Sequence, residues 1–203
     1  MSNPVRVKIC GVTRVEDAVA IERAGVDAIG LNFVETSKRR VTLEQALAIV
    51  QSLGPFISRV GIFVNHPLHE LEEIAQTLRL DTIQLHGRED EIYARSLAKN
   101  YRIIKAVSFQ NQSPKDLLNF PTDALLLDGL KPGSGEAFDW SIAKSFKGFP
   151  NLILAGGLTP SNVRAGIEAL EPHAVDTASG VESSPGVKSL ELVNEFLRSA
   201  KGF

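Results

Sequence analysis

The chain has 203 residues, of which 43% are apolar and 23% charged, with a formal net charge of −2. That length supports one domain with a large core and is short for two. The charge balance gives no electrostatic case for nucleic acid, and no apolar stretch approaches membrane-spanning length, so neither a nucleic-acid nor a membrane partner is expected.

The first ten residues, MSNPVRVKIC, run straight into strand-like sequence. No signal peptide is read there, and a cytoplasmic protein is expected. The single Cys cannot close an internal disulfide, which fits a reducing compartment. Short aliphatic or β-branched runs then alternate with amphipathic stretches through eight rounds. The predicted strands are 5–10, 27–33, 58–64, 81–86, 102–107, 123–128, 151–156 and 174–179. The predicted helices are 14–24, 42–53, 68–79, 88–99, 114–119, 139–146, 160–170 and 189–200. Such alternation predicts a parallel sheet covered by helices, and eight units in one domain predict a closed (β/α)₈ barrel spanning residues 1–203. An open doubly wound sheet would carry a Gly-rich turn after its first strand, and none stands there. Thr42 with Gln45 reads as a capping box, Thr159-Pro160 as the start of the seventh helix, and Gly25 as a helix stop.

Strand alternation sorts the polar residues. Val5, Val7 and Ile9 form a helix-facing set, which turns Arg6, Lys8 and Cys10 into the barrel. An inward Lys8 requires a partner. Gln84 and His86 share the inward face of the fourth strand, and Leu126 and Asp128 that of the sixth. Cys10, His86 and Asp128 therefore fall at strand C-terminal ends, where barrels of this kind hold their active sites. Cys10 reads either as a small buried hydrophobe or as a working thiol. Gly11 after it opens the loop to substrate approach, and the Lys8 cation two residues before it would favour the thiolate; both support the working thiol. Asp128 reads either as a loop cap or as a partly desolvated carboxyl acting as an acid.

Two loops of small residues, at Gly156-Gly157 and at Ser179-Gly180, follow the last two strands and suit a phosphate. Pro132-Gly133-Ser134-Gly135 reads as a flexible loop or lid. Arg39, in Thr36-Ser37-Lys38-Arg39-Arg40, is a candidate carboxylate clamp. His66, His69 and His173 show no metal-ligand spacing, so no metal is expected.

Taken in order, Lys8-Ile9-Cys10-Gly11, Ser37-Lys38-Arg39, Val60-Gly61-Ile62-Phe63-Val64-Asn65, Gln84-Leu85-His86-Gly87, Leu126-Leu127-Asp128 and Phe138-Asp139-Trp140 carry a resemblance. Ala155-Gly156-Gly157-Leu158 and the run from Val175 to Glu182 complete it. The sequence resembles the phosphoribosylanthranilate isomerases of tryptophan biosynthesis over essentially its whole length. The resemblance implies an Amadori rearrangement of a phosphorylated small molecule, with no metal and no organic cofactor, in a monomer or homodimer. It implies Cys10 as general base and Asp128 as general acid. Arg39 would hold the anthranilate carboxylate, Gly156, Gly157, Ser179 and Gly180 the phosphate, and Gln84 and His86 would line the site. Two departures stand out. The sixth-strand loop reads Pro132-Gly133-Ser134-Gly135 instead of Gly-Gly-Thr-Gly, and Arg40 replaces a common aromatic, which leaves Arg39 and Arg40 as rival clamps.

The rival readings are other phosphosugar isomerases or epimerases and a catalytically silent phosphometabolite-binding barrel. An isomerase with two Asp residues would want Asp in place of Cys10, and a metal-dependent epimerase would want clustered His and Asp ligands.

Overall fold

A computed structural model describes residues 5–108, 114–129 and 142–202. Eight parallel strands close into one barrel: β1 (Arg6–Cys10), β2 (Ala28–Asn32), β3 (Ser58–Phe63), β4 (Thr82–Leu85), β5 (Arg102–Ser108), β6 (Ala124–Asp128), β7 (Leu152–Leu154) and β8 (Ala174–Thr177). β1 pairs with both β2 and β8, so the sheet has no edge. Around it lie α1 (Val15–Arg23), α2 (Leu43–Gln51), α3 (Leu68–Thr77), α4 (Glu91–Leu97), α5 (Pro114–Leu117), α6 (Val163–Leu170) and α7 (Leu190–Lys201). A short hairpin, β9 (Glu182–Ser184) with β10 (Val187–Lys188), follows β8. Among the described residues no helix is long and apolar enough to cross a membrane.

The alternation read from sequence has a physical counterpart in two separate cores. Outward residues such as Val7, Ile9, Ile83, Leu85, Leu125 and Leu127 pack under the helices. Inward residues Val60, Ile104, Ala106, Leu126, Ile153, Ala155 and Ala174 fill the barrel. Thr42 caps α2 in a complete capping box, and Gly25 ends α1 at φ +86°. Two expectations change. The seventh helix begins at Val163 behind Asn162, whose side chain accepts from the Thr159 amide, so Pro160 precedes the helix instead of opening it. β7 is shorter than expected because Asn151 and Gly156, at φ +50° and +85°, turn the chain out of the sheet at both ends. Of the predicted sixth helix, residues 142–146 form a 3-10 turn. The rest of it, the Pro132–Gly135 loop and the Phe138-Asp139-Trp140 motif lie outside the described residues.

The barrel's two mouths differ. At the N-terminal end a cavity of about 290 Å³ is bordered by Arg6, Asp27, Arg102, Asp123 and His173. The residues singled out for chemistry sit at the other end.

Candidate active site

Lys8 is inward and only 4% exposed, and its ammonium donates to Asp176 Oδ2 at 2.9 Å inside the barrel. β1 and β8 are neighbours with Lys8 opposite Asp176, so the closure of the barrel itself makes this ion pair. Cys10 stands two residues further along the same face. Its thiol has a slot because Gly30, its partner on β2, lacks a side chain; a Cβ there would come within 3.0 Å of Cys10 Sγ. Lys8 pulls the Cys10 thiol toward the thiolate, as its place two residues away implies, but a larger effect runs the other way. Burial pushes the Cys10 thiol up, and although Lys8 pulls it down, Asp176 opposes that pull, leaving the thiol above its ordinary range. Lys8 is already committed to a carboxylate.

Arg39 reaches the same corner. A Cβ on Gly11 would lie 2.4 Å from Arg39 Cδ, so the arginine stem crosses directly over the residue after Cys10. Gly11 also holds φ +69°, a conformation that favours glycine. The guanidinium makes a two-pronged bond to Glu182, with Nε to Oε1 at 2.7 Å and Nη2 to Oε2 at 2.6 Å. Arg40 by contrast has a side chain 53% exposed and reaches only Glu35, at 4.0 Å. Of the two rival clamps, Arg39 is the one that packs beside Cys10.

Two groups that composition and alternation did not single out complete this corner. Lys188 on β10 is buried and donates to the Cys10 carbonyl at 2.7 Å, the Ala178 carbonyl at 3.1 Å and Glu182 Oε1 at 2.8 Å. Glu182 stood in the quoted motif without a role. A hairpin that folds back over the barrel mouth has no periodic signature, and the gap from Cys10 to Lys188 hides their meeting.

Beyond Ala178 the loop after β8 turns through a 3-10 turn, Ser179–Val181. Gly180 presses against the loop after β7: a Cβ there would lie 1.9 Å from the Leu158 carbonyl, which also accepts from Thr177 Oγ1 at 2.7 Å. Gly156 and Gly157 follow β7 with φ of +85° and +67°. A Cβ on Gly156 would strike the Gly129 amide at 2.1 Å and Asp128 Oδ1 at 2.9 Å, while one on Gly157 meets nothing within 4 Å. Gly156 is therefore a close backbone crossing, and Gly157 is open to approach.

Asp128 ends β6 with its side chain 28% exposed, and His86 Nε2 lies 3.2 Å from its Oδ2. Gln84, below His86 and only 1% exposed, places its amide nitrogen 3.2 Å from His86 Nδ1. In the tautomer in which Nδ1 accepts from the Gln84 amide, the ring proton lies on Nε2 and points at Asp128. Gln84 thus supports His86 from inside the barrel more than it lines the mouth. Contacts run continuously around the rim: Arg39 on Gly11, Cys10 on Lys188, Lys188 on Ala178, Gly180 on Leu158, Gly156 on Asp128, Asp128 on His86.

The resulting mouth carries a thiol, a carboxyl with a histidine beside it, an arginine, and two glycine-rich loops. The family model for N-(5'phosphoribosyl)anthranilate (PRA) isomerase matches residues 7–199, from β1 into α7. The N-(5'-phosphoribosyl)anthranilate isomerase of Geobacter sulfurreducens is 46% identical over 98% of this chain and 100% of its own. The crystal structure of phosphoribosyl anthranilate isomerase from Thermotoga maritima is 41% identical, with a TM-score of 0.90 over 98% of this chain and 100% of that one. A phosphoribosyl anthranilate isomerase solved with reduced 1-(o-carboxyphenylamino)-1-deoxyribulose 5-phosphate is 39% identical, with a TM-score of 0.88 over 98% and 100% of the two chains. Matched from its first strand into its last helix, the chain belongs to the N-(5'-phosphoribosyl)anthranilate isomerase family.

Proposed function

We propose that this chain converts N-(5'-phosphoribosyl)anthranilate to 1-(2-carboxyphenylamino)-1-deoxyribulose 5-phosphate, as a cytoplasmic enzyme of tryptophan biosynthesis, with Cys10 as general base and Asp128 as general acid. The observation that carries the reading is the order of groups around the barrel mouth. Arg39 lies on one side of Cys10, and the loops at Gly157 and Ser179-Gly180 lie between Cys10 and Asp128. A substrate with a carboxylate at one end and a phosphate at the other can then span the acid–base pair. The relative solved with a reduced form of the product supports it.

Asp128 gives a proton to the ribose ring oxygen, with His86 holding the carboxyl in place. The anthranilate nitrogen supplies its electron pair as the ring C–O bond breaks, giving a protonated Schiff base at C1'. Cys10 takes the C2' proton, and those C–H electrons form the C1'–C2' double bond of an enolamine. Tautomerisation to the ketone completes an isomerisation with no net gain or loss of atoms. A thiol held above its ordinary range is a strong base once ionised, and the cationic Schiff base favours that ionisation when it forms. Arg39 receives the carboxylate with the part of its planar fork not engaged by Glu182, and the backbone amides near Gly157 and Ser179 receive the phosphate.

The test is direct. Incubated with N-(5'-phosphoribosyl)anthranilate, the wild-type chain is expected to abolish the substrate's fluorescence. Cys10→Ala and Asp128→Ala are each expected to lose about a hundredfold or more of kcat while still binding the reduced product. Full activity in Cys10→Ala overturns the mechanism.

A further inference from the structure

The rim holds a buried carboxylate, Glu182, in direct contact with the arginine proposed to receive a substrate carboxylate. A negative charge beside an anion site is a cost unless it is compensated. Glu182 Oε1 accepts from Arg39 Nε, from Lys188 Nζ and from the Gly186 amide, the last at 3.3 Å, and its Oε2 accepts from Arg39 Nη2. Two cations share one carboxylate, so the cluster keeps one net positive charge toward an incoming anion. The hairpin that carries Lys188 is already anchored by other bonds: the Lys188 amide donates to Asp17 Oδ2 at 3.0 Å, and Thr13 Oγ1 donates to the Gly186 carbonyl at 2.7 Å. The Lys188 ammonium is therefore not needed to dock the hairpin. It spends its donors on the Cys10 carbonyl, the Ala178 carbonyl and Glu182.

We propose that Lys188 and Glu182 are positioning residues for the reaction: Lys188 ties the backbone of Cys10 to the loop ahead of Ser179, and Glu182 holds Arg39 across Gly11, so that base, carboxylate clamp and phosphate loop keep one fixed spacing. This rests on the reading above that those three groups act on one substrate. A ligand anchored at both ends is sensitive to that spacing, because a displacement of about 1 Å at a reacting atom can cost about a hundredfold in rate. Glu182 acts through Arg39, and Lys188 acts through Cys10 and Ala178.

The experiment is a set of kcat and KM measurements on N-(5'-phosphoribosyl)anthranilate, with thermal unfolding as a control. The variants are Glu182→Gln, Arg39→Ala, their double variant, Lys188→Met and Lys188→Arg. Glu182→Gln is expected to raise KM about tenfold with Arg39 present and to leave it within about twofold once Arg39 is Ala. Lys188→Met is expected to lower kcat about tenfold or more. If Lys188→Met does not fold, Lys188→Arg, which keeps the charge and displaces it, is expected to fold with a reduced kcat. An equal rise in KM for Glu182→Gln in both backgrounds would mark a merely structural role and overturn the Glu182 half. Wild-type kcat in a folded Lys188 variant overturns the other half. An inactive wild type overturns the functional reading and this inference with it; an active wild type with unmoved variants overturns this inference alone.

Discussion

Asp176 Oδ2 accepts a 2.9 Å hydrogen bond from Lys8 inside the barrel, and this bond sets how much of the Lys8 charge reaches Cys10. Burial works against a charge on Lys8, but the Asp176 carboxylate beside it holds the ammonium charged. Burial, with Asp176 set against the pull of Lys8, leaves the Cys10 thiol above its ordinary range. Alkylation of Cys10 by iodoacetamide is therefore expected to be slow at neutral pH and still climbing above the usual thiol midpoint of about 8.5. Measured rates that level off below pH 8 would contradict this.

Removing one member of that pair strands a buried charge. Asp176→Leu is expected to destabilise the fold by about 3–5 kcal/mol, and Lys8→Met/Asp176→Leu together by much less. Urea unfolding of the two variants checks it, and equal losses would show that the pair's charge is not what matters.

His86 meets Asp128 at 3.2 Å and receives support from Gln84. His86→Ala is expected to lower kcat by about ten- to a hundredfold with KM changed by less than about threefold, since the histidine orients the acid and leaves both anion sites intact. A large rise in KM alone would instead make His86 a binding group.

Gly180 has no room for a methyl group, with the Leu158 carbonyl 1.9 Å from its would-be Cβ. Gly180→Ala is expected to push apart the loops after β7 and β8, the two proposed to hold phosphate. Inhibition by inorganic phosphate should weaken about tenfold or more. Unchanged phosphate inhibition in a folded Gly180→Ala would remove that loop from the site.

Acid should weaken the fold through Glu89. This buried carboxylate accepts from Lys105 at 2.8 Å and from the amides of Asn65 and Gly87. Burial alone would raise it, but these donors together hold it below the usual carboxylate range. Its folded pKa is thus below its unfolded one, near 4.3, so its stabilisation is complete above about pH 5 and is lost as pH falls through the depressed value. Glu89→Gln should lower stability at neutral pH and flatten the decline in the acid range, as followed by thermal unfolding from pH 7 to pH 3.

The barrel was readable because its units repeat one rule. Val5, Val7 and Ile9 against Lys8 and Cys10 separate outside from inside, and the structure keeps that division at every strand. The positions of Cys10, His86 and Asp128 followed from the same rule. What it could not supply were meetings between distant positions. Nothing in the spacing of Lys8 identifies Asp176 as its partner, and nothing in it weighs the burial that outdoes the pull of Lys8 on the thiol. Gly30, an ordinary strand glycine in the sequence, shows its purpose only when Cys10 Sγ is seen against it. Glu182 and Lys188 belong to a hairpin outside the repeating unit, where periodicity says nothing.

The pairing of β1 with β8 has a consequence for how the molecule is made. The first strand to leave the ribosome must wait for the eighth before its second side is hydrogen-bonded. Until then the growing sheet presents two raw edges, each able to template another chain. Sealing them is a contact of very long sequence separation, which places it late and makes it slow. A chain halted before β8 would keep both edges and no way to close them. Termination ahead of Ala174 should therefore yield aggregate even though seven of the eight strands have been made.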